Sequence, residues 1–356
     1  MAKYASITAF TVNENRGNVD GINFTPVLGS GGNKLRYINP ALFLSIKKSC
    51  QEKGIKHVII EHPYYAWLGY ALKKYAGLKL IIHSHNIEAA RFKSMRKWWW
   101  RIMHHYEKFA HRHADFNFFI TEEDKNYAVK EYGLDAEKCT VITYGIEADK
   151  APDLDEKQIC KKKVCDELNL SIDTNIILFN GTLDYAPNRD GLDRILNEIN
   201  PHLLQHCTVP YKIVICGLRL PESYNGLKAF EYKNIIYKGF VEDIDLYFKS
   251  ADLFMNPITD GGGIKTKLVE ALGANTPAVS FKAGAYGVPL SVTGNHLALV
   301  KDADCLEFAK EIITKLQQPK EAISPPFFEH FSWDKIARRV ISIMTQLVRE
   351  TRTTAA

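Results

Sequence analysis

The sequence predicts a two-domain α/β protein built on parallel sheets, and three observations carry that expectation. The chain has 356 residues, which at about 150 residues per domain makes two domains. Short apolar runs rich in β-branched and aromatic residues alternate with longer helix-like segments along its whole length. Several of those runs are apolar at nearly every position, the pattern of strands covered on both faces. A hydrophobic fraction of 46% with 24% charged residues excludes wholesale disorder and a disulfide-stapled miniprotein.

In the first half, strands are expected at Ser6–Val12, Ile22–Val27, His57–Glu61, Lys79–His83, Phe116–Ile120 and Thr140–Tyr144. Helices are expected between them at Pro40–Lys53, Tyr65–Ala76, Ala89–Arg112 and Glu122–Tyr132. The charged segment Glu147–Ser171, with Lys161–Lys163 inside it, reads as an exposed connection holding a short helix. The expected organisation is therefore a first domain over 1–150, a linker over 151–171, a second domain over 172–330, and a closing helix and tail over 331–356.

In the second half, strands are expected at Asn175–Asn180, Tyr211–Cys216, Ile235–Tyr237, Leu253–Asn256, Ala278–Phe281 and Leu297–Val300. Helices fall at Asp190–Leu204, Ile244–Ser250, Thr266–Leu272 and Cys305–Leu316. This alternation makes a Rossmann-like sheet, which binds ligands outside the carboxyl ends of its strands. The loops after Asn180, Cys216, Asn256 and Phe281 are where chemistry is expected. Ile336, Val340, Ile341, Met344 and Leu347 recur at helical spacing in Ser332–Arg349, a terminal packing helix.

Charge and cysteine usage narrow the class. Lys and Arg number 46 against 41 Asp and Glu, a net +5 that is too small over this length to imply nucleic acid. Seven Cys, an odd number with no secretory signal after Met1, fit a reducing cytoplasm rather than a disulfide framework. Cys160 and Cys165 have no matching His/Cys set, so no zinc site and no metal are expected. No apolar run approaches the ~18–20 residues that cross a bilayer, so any membrane contact is expected to be peripheral.

The most informative stretch runs from Asn256 to Leu272. Gly261, Gly262 and Gly263 follow a strand and precede a helix, so backbone N–H groups can approach an anion unobstructed at a favourable helix dipole. Lys265 and Lys267 supply point charges, and Glu270, one turn further on, is placed to accept from sugar hydroxyls. A flexible loop flanked by solvated lysines is the competing reading. Neither the P-loop spacing nor G-x-G-x-x-G fits here, and Gly29–Gly32 fails both as well.

Gly263–Ser280, reading GIKTKLVEALGANTPAVS, resembles the donor-nucleotide segment of GT-B glycosyltransferases of glycosyltransferase family four. Asn180–Asn188 resembles the first strand-loop of that family's carboxyl-terminal domain, Gly239–Pro257 the stretch before the donor loop, and Phe331-Ser332-Trp333 the start of its closing helix. The resemblance covers about Lys56 to Arg349. It implies two Rossmann-like domains facing a central cleft, with retaining transfer of a sugar from a nucleoside diphosphate sugar. No cofactor or metal is required. The donor lies on the second domain and the acceptor mainly on the first. By this resemblance His85, Lys267 and Glu270 carry catalysis and ribose binding. Gly181, Thr182, Asn188, Gly217, Arg219, Asp260, Gly261, Gly262, Gly263, Ile264 and Lys265 surround the donor, while Asn86, Glu88 and Arg91 face the acceptor. Capping of the following helix is the competing role for Glu88.

The chain departs from the family pattern in three places. Gly262 occupies the position of a second acidic residue, for which Asp260 is the nearest substitute. Thr182 and Asn188 stand where a diphosphate-clamping Arg and Lys are common, with Arg189 or Arg219 as compensation. At the amino terminus, either Ser6–Val12 is the first strand with an atypical loop containing Arg16 and Gly17, or a leading unit is lost or shortened, which the spacing to His57 favours. These departures keep open a noncatalytic sugar-nucleotide-binding homologue and a GT-B sugar-nucleotide epimerase beside the transferase.

Arg91, Lys93, Arg96, Lys97 and Arg101 surround Trp98-Trp99-Trp100. That combination suits peripheral contact with an anionic membrane, although three consecutive Trp cannot share one helix face. The overall expectation is a cytoplasmic enzyme at the inner face of the plasma membrane, acting on a saccharide or lipid-linked acceptor in surface polysaccharide or glycolipid synthesis, with no nucleic-acid partner.

Overall fold

The computed structural model describes residues 1–353 apart from Arg16, Asn18, Gly261 and Gly262. Two units share the chain: Met1–Thr143 with the segment from Asp334 onward, and Tyr144–Trp333.

The first unit holds two parallel sheets. Strands β1 (Ile7–Thr11) and β2 (Ile22–Pro26) pair with each other. Strands β3 (His57–Glu61), β4 (Lys79–Ser84), β5 (Phe116–Phe119) and β6 (Cys139–Val141) form a four-stranded sheet in sequence order. Alternation along the strands sends their side chains to opposite faces. Ile59, Ile81 and Phe118 meet Ile336, Val340 and Leu347 of the closing helix Trp333–Thr353. Ile60, Leu80 and Ile82 meet Ala66 and Ala110 of the crossover helices Ala66–Ala76 and Trp100–His113. Covering both faces explains why these strands are apolar at successive positions.

Strands of the second unit form one parallel six-stranded sheet: β12 (Leu297–Val300), β11 (Ala278–Phe281), β10 (Leu253–Asn256), β7 (Asn175–Asn180), β8 (Tyr211–Cys216), β9 (Ile235–Gly239). This is the doubly wound order, with its reversal between β7 and β10. Ile176, Leu178 and Phe254 pack on one side against Val164, Phe248 and Leu268. Ile177, Phe179 and Met255 pack on the other against Leu196, Leu203 and Phe308. Where the chain enters and leaves this unit, backbone bonds run from Ile146 N to Phe331 O (2.7 Å) and from Trp333 N to Ile146 O (2.9 Å).

Four expectations are corrected. The segment 151–171 is no free linker: Leu154–Leu168 is a helix of 15 residues, N-capped by Asp153 and buried through Val164 and Cys165, because only two of its apolar residues are needed to dock it on the sheet. The expected helix Ala89–Arg112 is two helices, Glu88–Ser94 and Trp100–His113. Arg96 takes a left-handed φ of 54° between them, and Trp99 turns its ring onto Phe92 at 4.1 Å. The helix expected at Asp190–Leu204 starts at Ala186 and contains a π turn, Ile195–Ile199, just before Pro201, whose missing N–H cannot continue regular bonding. The strand expected at Thr140–Tyr144 is Cys139–Val141, and β1 and β2 stand apart from β3 in the hydrogen-bonded ladder.

The end of β4 is anchored from beneath. His111, 1% exposed, lies 3.0 Å from Ser84 Oγ through Nε2 and 2.8 Å from Asn117 Oδ1 through Nδ1. Burial pushes its imidazole down to about 4 from 6.5, against the pull of the Asn117 bond. The unfolded ring takes up a proton below 6.5 while the folded one stays neutral, so the associated stability is complete above 6.5 and is lost as pH falls towards 4. Between pH 7 and 5 the loss amounts to about 2 kcal/mol. Urea unfolding at the two pH values should show His111→Gln less acid-sensitive than the parent by about that amount; identical pH slopes would remove His111 as the cause.

Candidate functional site

The carboxyl ends of β7, β8 and β10 surround a cleft of about 410 Å³. It lies at the reversal of strand order, where a doubly wound sheet leaves a crevice because its loops diverge. Asn180, Thr182, Tyr185, Asn188, Arg219, Ile264, Lys265, Thr266 and Lys267 line it. Six of these positions, Thr182, Asn188, Arg219, Ile264, Lys265 and Lys267, were singled out in the sequence, and Gly181 and Gly217 lie immediately behind them.

Backbone proximity shapes this cleft. Gly181 N donates to Cys216 O at 3.0 Å, and a Cβ on Gly217 would lie 2.0 Å from Gly181 O. One on Gly181 would lie 2.8 Å from Asn188 Nδ2 and 3.0 Å from Lys267 Nζ. Asn188 donates to Thr182 O at 3.0 Å, so it braces the loop. Arg219 adopts a left-handed φ of 59° and pairs with Asp184 at 3.1 Å. Asn180 Oδ1 is buried with no hydrogen-bond partner among the described residues.

The helix Thr266–Gly273 begins at the cleft with no side-chain cap. Lys267 Nζ donates to Asn180 O at 3.2 Å. Burial lowers the Lys267 ammonium, partly offset by the charge of Glu270; burial likewise lowers Lys265, offset by Asp260. Both groups carry charge in a partly desolvated place, where an anion gains more from them than in water. Gly263 has a φ of +73°, and Lys265 Nζ donates to its carbonyl at 3.2 Å. Asp260 is exposed, and Ile264 packs on the core beneath the sheet. Gly261 and Gly262 lie outside the described residues.

Glu270 is not among the residues lining this cleft. It opens on a second cavity of about 730 Å³ with Tyr144, Lys150 and Trp333. The Tyr144 hydroxyl donates to Glu270 Oε1 at 2.9 Å, and burial together with that carboxylate raises the phenol to about 12.

In the first unit, the carboxyl ends of β3 and β4 gather a polar cluster. Glu61 is in register with His83, and its Oε2 lies 3.0 Å from His83 Nδ1 and 2.6 Å from His85 Nε2. Burial alone would raise Glu61, but bonds from both imidazoles outweigh it and hold the carboxyl down to about 2. His62, at a left-handed φ of 61°, brings its ring 4.3 Å from that of His85, and burial followed by the charge of His85 lowers it.

Neither sequence-derived role for Glu88 matches its surroundings. Its side chain is 0% exposed, accepts from Tyr64 at 2.8 Å and sits 3.5 Å from Arg91 Nε, so it has no surface for an acceptor. Nor does it cap its helix: Glu107 does, accepting from Glu88 N and Ala89 N at 2.8 Å each. Burial raises Glu107 to about 7 despite those bonds. Asn86 is half-buried beside His85 and Arg91 is exposed. Sequence reading missed Glu61, His62, Tyr64 and Tyr144. The end-of-strand rule reaches Glu61, because Glu61 closes β3 and pairs with His83, one residue before the end of β4.

Comparison with known proteins agrees with this architecture. The profile of glycosyl transferases group 1 matches residues 174–318, and that of glycosyltransferase family 4 matches residues 8–150. The chain is 23% identical over 285 residues to chitobiosyldiphosphodolichol beta-mannosyltransferase of Debaryomyces hansenii, covering 74% of this chain and 60% of that protein. It therefore spans 60% of the length of the curated relative it matches. A glycosyltransferase from Rickettsia africae superposes with a TM-score of 0.65 at 14% identity, over 92% of this chain and 85% of that one. Anabaena HepE in complex with UDP gives 0.64 at 15%, over 91% and 86%. Sucrose-phosphate synthase from Thermosynechococcus elongatus gives 0.62 at 16%, over 92% and 81%.

Fold and profiles together define a glycosyltransferase of the GT-B class. Within that class, the chain belongs to the group 1 glycosyltransferases of family 4.

The contact between Gly217 and Gly181 yields a direct test. Gly217→Ala should destabilise the protein by about 2–3 kcal/mol through overpacking against backbone, whereas Gly32→Ala, with nothing within 4 Å of its added methyl, should leave the thermal midpoint unchanged. Equal midpoints for both variants would refute the close approach.

Proposed function

We propose that the protein is a retaining hexosyltransferase that moves a sugar from a nucleoside diphosphate sugar to a saccharide or lipid-linked saccharide acceptor. The observation that carries this reading is the convergence of Lys265, Lys267 and an uncapped helix start on the cleft at the β7/β10 reversal. A departing diphosphate gains charge in the transition state, and fixed ammonium and N–H donors favour that state over the ground state. With those cations supplied by the chain, transfer proceeds without a required metal. HepE binding UDP and the mannosyltransferase activity of the curated relative support the donor class.

Glu270 and Tyr144 hold the ribose in this reading, and His85 orients the donor sugar. The Glu61 contact fixes which His85 nitrogen faces away. No side-chain nucleophile acts, because the leaving phosphate helps to deprotonate the acceptor on the same face. Arg91 and Asn86 contact the acceptor.

A thermal-shift screen of UDP-, GDP- and ADP-sugars identifies the donor, since a ligand at 100 times its Kd adds about 2.7 kcal/mol. Lys267→Ala should weaken the donor that scores by about 10- to 100-fold, the worth of one charge-assisted bond. Calorimetry with His85→Ala should show donor binding within a few-fold of the parent while turnover collapses. Unaltered steady-state kinetics in both variants, or epimerised donor accumulating without acceptor, would overturn the assignment.

The acceptor reading also places the first unit at an anionic bilayer, on the cytoplasmic side. Among the described residues no helix is long and apolar enough to cross a membrane. At the break between Glu88–Ser94 and Trp100–His113, Trp98 is 82% exposed, Ile102 62% and Met95 53%. Exposed Lys93, Arg96, Lys97 and Arg101 surround them. Trp suits the headgroup layer, and each basic residue adds about 1 kcal/mol near anionic lipid. Co-sedimentation with vesicles containing phosphatidylglycerol should exceed that with phosphatidylcholine alone, and Arg96→Ala or Lys97→Ala should each weaken it about fivefold. Equal binding to both vesicle types would remove the bilayer as partner.

A further inference from the structure

His83 is the penultimate residue of β4 and His85 the first residue beyond its end, and both imidazoles reach Glu61. Glu61, in register with His83 on β3, projects beside them. One ligand atom from each of Glu61, His83 and His85 lies within 4.8 Å of the other two. Two of the separations are 2.6 and 3.0 Å. Ligands about 2.0–2.1 Å from a tetrahedral zinc ion are about 3.3 Å apart, so to admit an ion the two short separations open by up to about 0.7 Å and the third closes by at most about 1.5 Å.

Proton counting points the same way. His83 Nε2 lies 3.3 Å from Ile142 O while Nδ1 lies 3.0 Å from Glu61 Oε2. Both neighbours are acceptors, so both contacts need either an imidazolium or, because a neutral imidazole carries one N–H, a cation in place of one proton. A cation at Nδ1 leaves Nε2–H to donate to the carbonyl, the outer-shell arrangement usual behind a metal-bound histidine. Exposure of Glu61 (58%) and His85 (41%) leaves an approach and an open coordination position. Two imidazoles with one carboxylate favour zinc-like ions over magnesium or calcium.

We propose that Glu61, His83 and His85 form a binding site for one divalent transition-metal ion of the zinc class. Occupancy replaces the contact between His85 Nε2 and Glu61 and leaves Nδ1–H facing away, the nitrogen that orients the donor sugar in the reading above. The binding itself does not rest on that reading.

The test uses the full chain, stripped with a chelator and titrated with Co2+ in a non-coordinating buffer. One equivalent should develop visible d–d bands of a four- or five-coordinate nitrogen–oxygen site, and Zn2+ should displace them. His83→Ala and Glu61→Gln should each weaken binding at least tenfold, the lower bound for loss even of an outer-shell partner. His202 and His206, another histidine pair on the surface with rings 6.4 Å apart, provide the control: His206→Asn should leave the first equivalent intact. A parent protein without these bands, bands that survive both site variants, or bands lost with His206→Asn would each overturn the site. Because the spectrum requires no turnover, its failure leaves the transferase reading standing, and failure of transfer leaves the site standing.

Discussion

Parallel pairing is the constraint on which the rest depends. Every strand of a parallel sheet ends at the same edge, so residues far apart in sequence are delivered to one place without any contact between them being specified. In the second unit this rule brings Asn180, Gly217 and Asn256 to the ends of three neighbouring strands. Reversal of direction between β7 and β10 then draws the loops apart and leaves room for a ligand. In the first unit the same rule places Glu61 beside His83. The cost of the arrangement is that both faces of each strand must be covered, which the helices and their apolar residues accomplish.

Behind each functional loop stands a buried polar group with its partners supplied by the chain. Asn256 donates to Ser280 Oγ at 2.9 Å and to Gly284 O at 2.8 Å, fastening the ends of β10 and β11. Glu107 satisfies the first N–H groups of the helix bearing Arg91, and Tyr132 donates to it at 3.0 Å. Groups of this kind are costly when unpaired and rigid when paired. They hold loop backbones at fixed positions, which precise ligand geometry demands.

Much of the fold was legible because buried parallel strands advertise themselves as continuous apolar runs. Five of the six strands in the second unit have the bounds expected from sequence, from Asn175–Asn180 to Leu297–Val300, and the sixth extends to Gly239. A short helix was expected within Glu147–Ser171, but the full extent of Leu154–Leu168 and its docking escaped, because a helix that buries only Val164 and Cys165 looks, residue by residue, like a solvated connector. The break at residues 95–99 depends on how Trp99 finds Phe92, a packing choice with no local periodicity. Lys265 and Lys267 were legible from their glycine-rich setting. Glu61 was reachable only as a strand end and Tyr144 not at all, since their partners lie 24 and 126 positions away.

In the proposed function, the hydrogen bond from Tyr144 to Glu270 makes ribose recognition at that carboxylate an exchange. A diol arriving there finds one oxygen already occupied by a phenol and must displace it or share with it, so the gross strength of a hydroxyl–carboxylate bond is not the gain realised. Discrimination then follows from how much better an incoming pair of hydroxyls fits than the resident single one. Such a site rewards geometry over mere polarity and turns away lone alcohols.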